Sequence, residues 1–141
     1  MTVPQTDPLG LRNGGDSDGS PEPLGYAGYP APTLHIGDLD GERQTVTSST
    51  WQAKVTITVH NGQHGPVPGA TVTGKWSNRV NVTAVTGTDG TCLVSADFST
   101  KTRTVTFTVT NVSANGYGYV SSANHDGDGD SNGTAITVSK P

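Results

Sequence analysis

The stretch Trp51-Gln52-Ala53-Lys54-Val55-Thr56-Ile57-Thr58-Val59-His60 decides the fold. Trp51, Ala53, Val55, Ile57 and Val59 alternate with Gln52, Lys54, Thr56, Thr58 and His60. A period of two belongs to a pleated strand, with one row of side chains turned to a core and the other to water. The alternation recurs in Ala70, Val72, Gly74 and Trp76, and again in Val105, Phe107 and Val109, with Thr or Lys between. Both runs read as half-buried antiparallel strands. Fainter strands are expected from Leu34 and Ile36 and over 80–86, 91–96, 117–120 and 135–138.

Between these runs lie turn formers: Asn61-Gly62, opening a loop that ends Pro66-Val67-Pro68-Gly69, then Thr88-Asp89-Gly90 and Asn115-Gly116. Gly and Asn supply the positive φ that tight turns need. No window carries a helical period, and regularly spaced short strands without helices predict an antiparallel sandwich of roughly 100 residues. Trp51 and Trp76 are candidates for its central layer.

The remaining composition sets bounds. The chain has 141 residues and is 30% hydrophobic, well under the usual value of about 45–50%, so one small core is expected and only part of the chain packs into it. Residues 1–32 hold six of the nine prolines and six of the nineteen glycines, without periodicity. They read as a disordered linker. The sandwich is expected over 33–141. A net charge of −4 provides no basic field for nucleic acid. No apolar run approaches the length of a membrane span, and the first residues lack a basic region followed by an apolar stretch. Cys92 is the single cysteine. It cannot form an internal disulfide, and among Thr, Gly, Leu and Val it reads as a small buried hydrophobe, not a nucleophile.

Several motifs resemble a known family. VTITVHNGQHGPVPGATVTGKWS, TGTDGTCLVSA and RTVTFTVTNV are similar to the bacterial immunoglobulin-like repeats of the invasin and intimin type, over about Trp51 to Val112. Over Leu34 to Pro141 the chain also resembles modules at the C-terminal end of secreted bacterial multidomain proteins. These open on Gly-Asp-Leu-Asp-Gly, here Gly37–Gly41, and carry an Asn-His-Asp-rich segment before the last strand, here Asn124–Thr134. Some relatives have a second cysteine about eight residues before the position of Cys92; Ala84 stands there in this chain. The resemblance implies an all-β, immunoglobulin-like antiparallel sandwich of seven to eight strands. It further implies a non-catalytic spacer or adhesion module of an exported bacterial protein, secreted or on the cell surface, monomeric, with neighbouring domains of its parent polypeptide as partners.

The segment His125-Asp126-Gly127-Asp128-Gly129-Asp130-Ser131-Asn132-Gly133-Thr134 is the most chemically loaded. Asp126, Asp128 and Asp130, at alternate positions, repel one another, and a hard cation among oxygen ligands relieves this; structural calcium is the natural candidate. Asp128, Asp130 and Asn132 fit ligand positions 1, 3 and 5 of an EF-hand loop, with Gly133 sixth, but position 12 is Ser139 instead of Glu. Further ligands are expected from Asp38 and Asp40. The competing reading is a solvated loop whose Asp, Asn and Gly only make turns.

His60 and His64 have the spacing of a zinc pair on a helix, but Asn61, Gly62 and Gly65 forbid a helix there, so a loop without metal is expected. Tyr117 and Tyr119 share a strand face and offer an aromatic platform. With a mildly basic sheet body, they give the alternative function: a carbohydrate- or receptor-binding module appended to a secreted enzyme, its partner a polysaccharide or a surface protein.

Overall fold

The computed structural model describes residues 32–141. The linker expected over 1–32 therefore lies outside the described residues, Pro32 apart. Eight strands form among the described residues: β1 (Thr33–Thr45), β2 (Thr50–Asn61), β3 (Thr71–Trp76), β4 (Asn81–Val85), β5 (Thr91–Ser99), β6 (Thr104–Ser113), β7 (Gly118–Tyr119) and β8 (Ala135–Ser139). The one helical piece among them is a 3-10 turn, Ser121–Ala123. Two four-stranded sheets, ordered β8-β6-β3-β4 and β5-β2-β1-β7, face each other as an immunoglobulin-like sandwich. Pairing is antiparallel except where β7 runs parallel to β1.

The alternation carries directly into burial. Trp51, Ala53, Val55, Ile57 and Val59 are buried, while the intervening residues of β2 are only half-buried. Trp51 and Trp76 both lie in the core, on facing sheets. Phe98 of β5 sits between their rings at centroid distances of 5.7 and 5.6 Å, and Phe107 of β6 lies 5.1 Å from Trp76. Four aromatic rings thus join the two layers.

The first strand is longer than the few apolar residues at 34–36 suggest, because Glu42–Thr45 pairs with Trp51–Lys54 as an arm exposed on the β1 side. Such an arm has no apolar row of its own and is invisible to periodicity.

Strand β1 also carries a bulge. Ile36 pairs with Val59 and Asp38 with Thr58, leaving Gly37 as the extra residue. One extra residue reverses the facing of all that follow. Leu34 and Ile36 point inward before the bulge, and Leu39 points inward after it, opposite Ile57. His35 and then Asp38 and Asp40 consequently share the outer face, opposite His60, Thr58 and Thr56. At the far end of β1, a Cβ on Gly41 would come within 3.0 Å of Val138, so glycine there lets β1 close against β8 of the other sheet.

The two indoles are held differently. Trp51 Nε1 donates to the carbonyls of Ser99 and Thr102 at 3.2 and 2.9 Å, whereas Trp76 Nε1 is buried without a partner. Removing a donor strands its acceptors, while removing an orphan donor relieves a desolvation penalty; each effect is on the order of 1–3 kcal/mol. Trp51→Phe is therefore expected to lower the denaturant midpoint more than Trp76→Phe, which urea titrations of the two variants will read.

Candidate functional site

The outer face of β1 and β2 is covered by the segment between β7 and β8. Asn124 is the fastener. Its Oδ1 accepts the Ile36 N–H at 2.8 Å, and its Nδ2 donates to the Tyr119 hydroxyl at 2.8 Å and the Thr134 hydroxyl at 3.0 Å. Backbone bonds from Val120 N to Leu34 O (3.0 Å) and from His125 N to Ile36 O (3.1 Å) continue the attachment along the edge of β1. Gly133 is required beneath it. Its φ is +83°, and a Cβ there would collide with the His125 backbone.

Two groups of metal-type donors meet on this face. The first is Asp38, Asp40, Asp128 and Asp130, with one carboxylate oxygen from each within 4.8 Å of the others. The expected pairing of the Gly37–Gly41 segment with the acidic loop is thus present in the geometry. Asp126 and Asn132, also expected among the ligands, lie outside this group of four and accept hydrogen bonds within the loop. Asp126 Oδ1 accepts the N–H groups of Asp128 and Gly129, each at 3.1 Å, and its Oδ2 accepts the Ser131 hydroxyl. Asn132 Oδ1 accepts the N–H groups of Thr134 and Ala135, each at 2.8 Å.

Burial and the close approach of several carboxylates together set the electrostatics here. Burial, then hydrogen bonding to Asp126 and Asp40, pushes the Asp38 carboxyl up to about 7. Contact with Asp126 and Asp40 raises Asp128 to about 7 as well. Burial and the Asp126 carboxylate raise Asp130. For Asp126, burial acts upward, but hydrogen bonds from Asp128, Ser131 and Asp38 outweigh it and hold the group well below the ordinary carboxylate range. Protons are shared where a cation would otherwise balance charge. Asp38 Oδ1 is sealed from solvent with no hydrogen-bond partner.

The second group is His35, His60, His64 and His125, again with one ring nitrogen from each within 4.8 Å of the others. These are all four histidines of the chain. His35 and His60 face each other across β1 and β2. His64 arrives through the turn after β2, where Asn61 Oδ1 accepts the N–H groups of Gln63 and Gly65, each at 2.9 Å, and His64 takes a left-handed φ of +64°. His125 arrives on the covering segment. Gly37 makes room for the cluster: a Cβ there would overlap the His60 imidazole. Burial, then the neighbouring His125, His64 and His60, lowers the basicity of His35; burial, His125 and His64 do the same for His60. Both shifts favour the neutral ring, the form with a free lone pair.

Sequence reasoning missed this group because it tested His60 and His64 as a helical pair. The signal lay in strand register instead, with His60 opposite His35. Tyr119 packs against the core with its hydroxyl engaged by Asn124, while Tyr117 stands 36% exposed in the preceding turn. No family model matches the chain, and neither a curated protein nor a solved structure matches it.

Two expectations follow. Gly37→Ala is expected to destabilise the fold by about 1–3 kcal/mol, as overpacking does, and chemical denaturation will measure it. Cys92 is 9% exposed, and burial pushes its thiol up to about 11. It is expected to resist a disulfide reagent at pH 8 in the native state and to react fully once the chain is unfolded.

Proposed function

We propose that this chain is a non-catalytic accessory module, a rigid spacer or adhesive unit of an exported bacterial protein, stabilised by calcium bound between β1 and the loop before β8. The exported bacterial setting rests on the resemblance of Gly37–Gly41 and Asn124–Thr134 to modules of secreted multidomain proteins. The stabilising role rests on geometry. Asp38 and Asp40 come from one end of the domain's sequence and Asp128 and Asp130 from the other, yet their carboxylates converge. A hard cation with oxygen ligands suits such a set and would tie the covering segment to the sheet. The core supports a mechanical role: the interior is filled by aliphatic and aromatic side chains from both sheets.

One observation favours carbohydrate or receptor binding as a second reading. Exposed Tyr117 lines an open depression with Pro68, Thr71 and Asn115. A glycan screen of the domain beside a Tyr117→Ala variant tests this; signal lost in the variant supports it, and silence removes it.

For calcium, the expected outcome at about 100 times Kd is a stabilisation of about 2.7 kcal/mol, read as a rise in Tm on the order of 10 °C. Asp128→Asn should abolish most of that rise while leaving the metal-free protein at least as stable, since it removes a repelling carboxylate. A Tm unmoved by calcium in the unaltered chain refutes the calcium staple and leaves a solvated acidic loop.

A further inference from the structure

We propose that His35, His60, His64 and His125 form a structural site for a divalent transition-metal ion, of the kind zinc fills. The site is distinct from the carboxylate set in position and in chemistry, and it does not depend on calcium being bound there.

The spacing of the rings fits a tetrahedral imidazole shell. Four rings around zinc, with Zn–N of about 2.0–2.1 Å, place their centroids about 3.2 Å from the metal and so about 5.2 Å from one another. The six separations among these rings run from 5.1 to 6.0 Å. No pair is left out, as it would be if the rings merely stacked in a row.

Unmet hydrogen-bonding capacity points the same way. His35 is 4% exposed, and its Nε2 is buried with no partner, as is Nδ1 of His60. Buried ring nitrogens of native proteins ordinarily have a partner, and an ion is one that would satisfy both of these at once. His125 already has the outer contact of a metal-bound histidine: its Nδ1 lies 3.2 Å from the Ala123 carbonyl, which leaves Nε2 with the lone pair.

Donor type selects the ion. Four imidazoles suit zinc, copper, nickel or cobalt and are poor ligands for calcium or magnesium. Four protein ligands fill a tetrahedral shell, with no position left for a substrate or a reactive water, so the role is structural. A bound ion would join the β1–β2 pair, the turn after β2 and the covering segment at one point.

The test uses the chain stripped of metal by a chelator, with zinc and, separately, cobalt(II) as probes. Expected are one zinc per chain, a raised Tm, and a cobalt spectrum with the intense visible bands of tetrahedral coordination. His64→Asn, on an exposed turn at a φ that Asn tolerates, and His125→Gln are each expected to weaken zinc by about 100-fold or more, beyond the 10–100-fold of losing an outer-shell partner. Asp128→Asn should leave zinc binding unchanged. Absence of stoichiometric zinc, an octahedral cobalt spectrum, or His64→Asn binding zinc as tightly as the unaltered chain would overturn the proposal. His64→Asn decides the matter if His125→Gln fails to fold.

Discussion

A single backbone irregularity, the bulge at Gly37, is what the outer face of this sandwich depends on. Without it, Asp38 and Asp40 would follow Leu34 and Ile36 into the core, where unpaired carboxylates are strongly disfavoured, and Leu39 would face outward. With it, the apolar residues on both sides of Gly37 reach the core and His35, Asp38 and Asp40 are collected on one outer face. The residue must also be glycine for a second reason, since the His60 imidazole occupies the space of its absent side chain. One position therefore serves packing inside the sandwich and donor convergence outside it.

The covering segment depends on that face in turn. Asn124 ties Ile36 of β1, Tyr119 of β7 and Thr134 before β8 together, and on its C-terminal side the chain passes from a histidine to alternating aspartates. One connection thus delivers a nitrogen donor and oxygen donors to the same pair of strands. Borderline and hard cations are sorted by such donor types, so the proposed zinc and calcium sites do not compete. Both would act on the same mechanical element, the attachment of a long connection to a sheet.

The interior of the described domain is filled by packing. Trp51, Phe98, Trp76 and Phe107 bridge the sheets, and Cys92, sealed beside them in the core cluster, is held as a neutral thiol by burial. What distinguishes the domain lies on its surface, where Asn124 and backbone hydrogen bonds hold a long connection to β1.

Strand identity was legible in the sequence because a period of two is a local property: each residue's facing follows from its neighbours, as in Trp51–Val59. The convergence of Asp38 and Asp40 with Asp128 and Asp130 was legible as well, since repelling carboxylates in two glycine-flanked segments invite a shared counterion. That Asp126 and Asn132 brace the loop was not, because their oxygens are engaged by backbone N–H groups only after the turn has formed. The four histidines were least legible of all. They stand at 35, 60, 64 and 125, and only the pairing register of β1 with β2, a left-handed turn and the docking of a distant segment bring their rings together; no local rule relates those positions, so tertiary structure alone decided that they meet.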